Sequence, residues 1–174
     1  NASAHAIGYV SEISPRDIRN KKYLKNIAIS GVAVGKTGLE STLDEDMLGT
    51  PGFLRYEVNA YGKKIKQVAV ENGLKGKTFR TTLDDSVQVF SAKLLEKVSG
   101  AACVMDIYNG DIISMVSSPA FDPNSFVHGI NQTEWNNLLE NRDKPMINKA
   151  VSGLYPPGST IKTLTALSAL ENDV

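Results

Sequence analysis

The sequence predicts an α+β chain in two unlike halves, and three observations carry that reading. Short runs rich in β-branched and aromatic residues are set apart by turn residues, most clearly at Asn109-Gly110. Apolar residues recur at helical spacing elsewhere, as in Leu39, Leu43 and Met47 and again in Val87, Phe90 and Leu94. The texture then changes at Asn72-Gly73 and Gly76, where a flexible join divides the chain into residues 1–76 and 77–174.

In the first half, His5 to Val10 reads as a short strand broken by Gly8. Ser14-Pro15-Arg16-Asp17 opens a short helix: Ser14 caps it, Pro15 suits its first turn and Asp17 favours the positive dipole end. Leu39, Leu43 and Met47 predict one helix face that closes at Leu48-Gly49. Phe53 to Asn59 and Lys64 to Val70 predict two strands joined around Tyr61-Gly62. Lys63, Lys64 and Lys66 read as a solvated edge that discourages aggregation.

In the second half, Thr78 to Leu83 is strand-like, and Asp84-Asp85 start a helix whose apolar stripe is Val87, Phe90, Leu94, Leu95 and Val98. Ala101 to Met105 and Ile112 to Val116 form a hairpin around Asn109-Gly110. Both runs are nearly all apolar, which predicts strands covered on both faces, with Cys103 a small buried hydrophobe. Phe121 to Asn124 reads as a loop, and Thr133 to Leu139 as a short capped helix that packs Trp135 and Leu138 on the core. Pro145, Gly153 and Pro156-Pro157-Gly158 keep the chain extended until a last helix at Ser159.

Composition narrows the function. Lys plus Arg number 19 and Asp plus Glu number 19, a balance unlike that of nucleic-acid binders or polybasic membrane-surface proteins. One cysteine excludes a disulfide framework and a cysteine-cluster metal site. His5 and His128 lack ligand-spaced partners, so no metal site is expected. No run reaches the roughly 20 apolar residues of a membrane span, and Asn1-Ala2 reads like a tag remnant.

Chemistry is concentrated in Tyr155-Pro156-Pro157-Gly158-Ser159-Thr160-Ile161-Lys162. A serine at a helix N-terminus has its hydroxyl beside unpaired N–H groups, where an oxyanion is stabilised. Lys162 lies one turn on, so a desolvated amine there is placed to take the serine proton. The plain alternative is that Ser159 is an N-cap and Lys162 a solvated helix residue. Ile161, Leu164, Ala166, Leu167, Ala169 and Leu170 fall on several faces, which predicts a buried core helix.

That octamer is very similar to the active-site motif of class B penicillin-binding proteins, the D,D-transpeptidases that crosslink peptidoglycan. Gly35 to Glu40 with Leu48 to Gly52 resembles a segment of that family's non-catalytic pedestal (dimerisation) domain. Asp84 with Gln88 resembles the entry to its transpeptidase domain, Ser117 to Phe126 the loop after its first hairpin, and Pro145 to Ala150 the segment before the motif. His5 to Val10 and Phe126 to Ile130 point to the family's elongation-specific branch.

The resemblance implies a pedestal part at 1–76 and the N-terminal part of a serine β-lactamase-like transpeptidase domain at 77–174. It implies Ser159 as the acylated nucleophile, with its N–H as an oxyanion donor, and Lys162 as general base. Peptidoglycan stem peptides are the implied substrates, β-lactams the trapped inhibitors, and elongation proteins the partners through the pedestal. No cofactor, metal or nucleic acid is implied. The intact protein is expected on the periplasmic face of the inner membrane, held by an anchor outside this sequence. Lys149 departs from the family's arginine, which loses a bidentate fork.

The family's Ser-x-Asn and Lys-Thr-Gly motifs are absent downstream; Lys36-Thr37-Gly38 lies before a predicted helix in the other half and reads as coincidence. The chain is therefore expected to be a fragment without activity of its own. Two rival readings remain: a serine β-lactamase, which lacks so long a pedestal segment, and a non-enzymatic β-lactam sensor or cell-wall scaffold.

Overall fold

The computed structural model describes residues 1–27 and 31–173. Helix α1 (Ala4–Ile7) leads into β1 (Val10–Glu12), which pairs antiparallel with β2 (Ala33–Gly35), Val10 facing Gly35. The expected strand from His5 is thus helical up to Ile7. His5 is buried under tertiary contacts that override its neighbours' β-propensity. Gly8 makes the turn between the two elements at φ +89°, and a Cβ there would lie 1.9 Å from Thr37 O.

Between β1 and β2 runs α2 (Pro15–Asn20), capped by Ser14 as the sequence predicted, and Asp17 completes a full capping box. The helix expected over 39–47 is two short ones, α3 (Gly38–Thr42) and α4 (Asp44–Leu48). The break at Leu43 lets the Asp44 carboxylate turn inward. It accepts bonds from Gly35 N at 2.8 Å, Lys21 Nζ at 2.7 Å and Tyr23 OH at 2.5 Å, and so knots four segments together. Burial, reinforced by the Asp44 carboxylate, holds the Tyr23 phenol above its usual range.

Strands β3 (Phe53–Val58) and β4 (Lys64–Glu71) form the predicted hairpin, with bulges opposite Tyr56 and Val58. Both are exposed along their whole length, and Lys64 sits 4.5 Å from the Tyr56 ring centroid. A lone two-stranded hairpin is marginal in water.

The expected strand at 78–83 is an unpaired segment that crosses to α5 (Asp85–Leu94), capped by Asp84. The hairpin that follows is β5 (Gly100–Met105) and β6 (Ile112–Ser118), with Cys103 facing Met115. Its connection, residues 106–111 around Asn109-Gly110, is the one the sequence predicted. Asp106 and Asp111 close it backbone to backbone at 2.9 Å.

Only β6 is well covered. Most of β5 is exposed, Cys103 included, so neither the two-sided covering nor the buried cysteine holds. No third strand flanks β5 among the described residues.

Helix α5 also turns differently from its apolar pattern. It buries Gln88 and Ser91, whereas Phe90, Leu94 and Val98 face solvent. Gln88 decides this orientation. Its Oε1 accepts from Ser114 Oγ and Met115 N, and its Nε2 donates to Met115 O and Ala2 O, all at 2.9 Å. One carboxamide thereby occupies the β6 edge as a neighbouring strand would.

The core lies beside this sheet. Ala4, Phe121 and Phe126 are buried, with Tyr9, Ile130, Met146, Trp135 and Leu138 packed around them. The aromatic rings meet mainly edge to face, Phe121 and Phe126 at 5.7 Å and Phe126 and Trp135 at 6.3 Å. Trp135 and Leu138 come from α6 (Gln132–Glu140), capped by Asn131, as the sequence predicted.

A helix the sequence did not reveal, α7 (Lys149–Ser152), precedes the motif. A 3-10 turn (Gly158–Thr160) then leads into α8 (Ile161–Glu171). Among the described residues no helix is long and apolar enough to cross a membrane.

Candidate active site

Two prolines and Gly158, at φ +54°, fix where the last helix starts. Ser159 sits in the 3-10 turn, and Lys162 in the first turn of α8. The turn is closed by Thr160, whose N–H donates to Pro157 O at 3.2 Å and whose hydroxyl bonds the same carbonyl. Neither Ser159 nor Thr160 caps α8 through its side chain. The N-cap alternative for Ser159 is therefore not used.

Ser159 and Lys162 are both exposed, and no hydrogen bond joins them among the described residues. The helix that carries them is exposed too. Leu164 is 63% and Leu170 76% accessible, against the expectation of a buried core helix. An all-round apolar helix needs neighbours on several sides, and the described residues put none on most of them.

The segment leading to the motif is, by contrast, firmly held. Ser117 of β6 donates from Oγ to Ile147 O at 3.1 Å and accepts from Lys149 N at 3.0 Å. Asn148 caps α7 by accepting from Ala150 N at 3.1 Å, and its Nδ2 donates to His5 O at 3.3 Å. His5 Nε2 donates to Pro145 O at 2.7 Å, which leaves Nδ1 unprotonated, buried and without a partner among the described residues. Burial pushes the His5 pKa down. The Lys149 charge adds to this, and the Pro145 bond opposes it.

Lys149 is buried, and burial pushes its ammonium below the usual lysine range, with Asp143 opposing. Its Nζ reaches Lys144 O at 3.3 Å, a carbonyl rather than a carboxylate. A single carbonyl suits an ammonium better than a two-pronged guanidinium. In the sequence Asn148 and Ser117 stand out only as members of segments that resemble the family. An asparagine just ahead of Lys149-Ala150 is a cap signal that would have revealed α7.

A pedestal-like segment joined to a hairpin, a capped helix and a Ser-x-x-Lys turn is the layout of a penicillin-binding transpeptidase. Residues 1–81 match the family described as Penicillin-binding Protein dimerisation domain, and residues 100–174 the Penicillin binding protein transpeptidase domain. The chain belongs to the class B penicillin-binding protein family.

Within it, the chain is similar to Peptidoglycan D,D-transpeptidase MrdA of Acinetobacter baumannii, at 36% identity over 96% of this chain and 25% of that protein. MrdA of Escherichia coli K12 is also 36% identical, over 100% of this chain and 28% of that protein. Among solved structures, Helicobacter pylori penicillin-binding protein 2 in complex with MreC superposes with a TM-score of 0.81 at 33% identity. That match covers 98% of this chain and 31% of the other. The α+β reading and the narrower likeness to penicillin-binding protein 2 both hold. The chain spans about a quarter of the length of the curated relatives it matches.

Proposed function

We propose that the protein carrying this chain is a serine-type peptidoglycan D,D-transpeptidase of cell-wall elongation, with Ser159 as nucleophile and Lys162 as general base. The observation that carries the reading is the uncapped Ser-x-x-Lys turn at the start of α8, in a chain that resembles MrdA over nearly its whole length. Ser159 Oγ attacks the penultimate D-Ala carbonyl of a stem peptide as its proton passes to Lys162. The C–N bond to the terminal D-Ala breaks, and its nitrogen leaves with that proton. The amine of a second stem then displaces the serine ester and returns a proton to Ser159. A β-lactam follows the first half of this course and stays as an acyl-ester.

The domain join falls near residue 76, and the intact protein sits on the periplasmic face of the inner membrane. Its pedestal part meets elongation proteins, a reading supported by the solved penicillin-binding protein 2 complex with MreC. The isolated 174-residue chain is inactive. Its Ser159 and Lys162 are exposed, and a desolvated site with positioned donors is worth about a hundred- to a thousandfold for each donor.

Labelling with a fluorescent penicillin tests this. A protein holding this sequence within the full length of its relatives gives a band that Ser159→Ala removes. Lys162→Ala keeps the fold but slows acylation by about a thousandfold or more. The isolated chain gives no band above its denatured control. Unchanged acylation in Lys162→Ala moves the base elsewhere.

A further inference from the structure

At one junction α1, from the first half of the chain, meets the segment that feeds the serine turn. A cavity of about 440 Å³ opens there, bordered by His5, Thr37, Asn148 and Ser152. Across a separation of 140 residues, His5 Nε2 donates to Pro145 O, and Asn148 Nδ2 donates back to His5 O. The two bonds grip residues 145–148 from one side while Ser117 grips Ile147 and Lys149 from the other.

Helix α1 is itself locked to the pedestal half. Cβ atoms at Gly8 and Gly38 would fall 1.9 Å from Thr37 O and 2.6 Å from Ile7 O, so the two backbones touch. On the other side of the grip, α7 runs into Gly153, where a Cβ would meet Tyr155 Cε2 at 2.4 Å and Lys149 O at 2.5 Å. The Tyr155 ring is thus folded back on α7, immediately before Pro156-Pro157-Gly158-Ser159. A packed path thus joins the pedestal half to Tyr155, and the stiff Pro156-Pro157 pair carries the chain from there to the exposed nucleophile turn.

We propose that His5, assisted by Asn148, is a positioning residue for Ser159: its hydrogen bond to Pro145 O fixes α7 and so sets the geometry of the serine turn. The inference rests on the transpeptidase reading above. A buried imidazole is an economical device for this. It fills the apolar site against Phe121, at 5.1 Å edge to face, while its one N–H is committed to a backbone carbonyl. Its lowered pKa keeps it neutral, which preserves that donor pattern.

The test is β-lactam acylation by a protein that holds this sequence within the full length of its relatives, with the acylation rate constant separated from pre-acylation binding. His5→Phe keeps the ring against Phe121 and loses the donor. It is expected to lower the acylation rate constant about tenfold while the binding constant moves less than about twofold. His5→Gln, which restores an N–H near Nε2, is expected to return the rate to within about twofold of the parent.

Asn148→Ser keeps the cap on α7 and removes only the bond to His5 O, so it reports even if the ring variant folds poorly; about a fivefold loss is expected. Parental rates in His5→Phe and Asn148→Ser overturn the positioning role. So does a loss that His5→Gln does not rescue, which marks a merely structural histidine. A parent protein that is not acylated at Ser159 overturns instead the reading on which the inference rests.

Discussion

Replacing Gln88 by leucine removes four hydrogen bonds at 2.9 Å while nearly preserving volume in a site with no solvent access. The Ser114 hydroxyl can rotate toward another acceptor, and Ala2 is only half-buried, so those two groups recover in part. Met115 N and O cannot, because they belong to the β6 edge. Each buried group left unpaired costs about 1–3 kcal/mol, which puts Gln88→Leu at about 4 kcal/mol. Domains of this size are stable by only about 5–15 kcal/mol, so the loss is a large fraction of the total. Urea denaturation followed by circular dichroism reads it directly. With a slope of about 2 kcal/mol/M, the midpoint falls by about 2 M. Gln88→Glu adds a signature that apolar replacement lacks. A carboxylate there faces the Ala2 and Met115 carbonyls, so the variant recovers stability as pH falls and the acid regains a donor. A leucine variant within about 0.5 kcal/mol of the parent would refute the idea that Gln88 stands in for a strand.

Three other predictions concern the pedestal half. Asp44→Asn weakens the pairing of this buried carboxylate with half-buried Lys21 and Tyr23 and is expected to cost about 3 kcal/mol, read as a lowered urea midpoint. In the same variant the Tyr23 phenol titrates closer to its ordinary value, visible in an alkaline absorbance titration. Burial works against the Asp17 carboxylate, but bonds from Lys36 and Ser14 outweigh it and hold the pKa at about 2. Its folded value lies below the unfolded one of about 3.9, so its contribution is full above pH ~4 and is lost as pH falls toward 2. Discounted for partial solvent screening, that contribution is about 1 kcal/mol, and Asp17→Asn should flatten stability over this window. His5 has the same sign at higher pH. Its lowered folded pKa means stability falls as pH drops through the ordinary histidine range, a slope that His5→Gln removes.

The sequence made legible what local chemistry decides. Ser14 spells the cap of α2, Pro15 its first turn, and the proline pair with Gly158 the start of the motif helix. The places of Ser159, in the turn, and Lys162, in the first turn of α8, could be read in the same way, since they follow from where the prolines stop. What could not be read are choices made by partners distant in the chain. Gln88 turns α5 so that its apolar stripe faces outward, because four polar partners on β6 and at Ala2 outweigh periodicity. His5 is helical because Pro145, 140 residues away, accepts from its ring. Asp44 breaks a helix at Leu43 to reach Gly35, Lys21 and Tyr23. In each case one buried polar side chain overrides a pattern of several apolar ones, because an unpaired buried polar group costs as much as burying a leucine gains.

Peptide mapping by mass spectrometry after benzylpenicillin treatment decides whether Ser159 is the nucleophile. In a protein holding this sequence within the full length of its relatives, one covalent adduct, of the mass of the intact drug, is expected on the peptide that contains Ser159. That adduct is absent in Ser159→Ala. An adduct on another residue, or none at all from a folded protein, would contradict it.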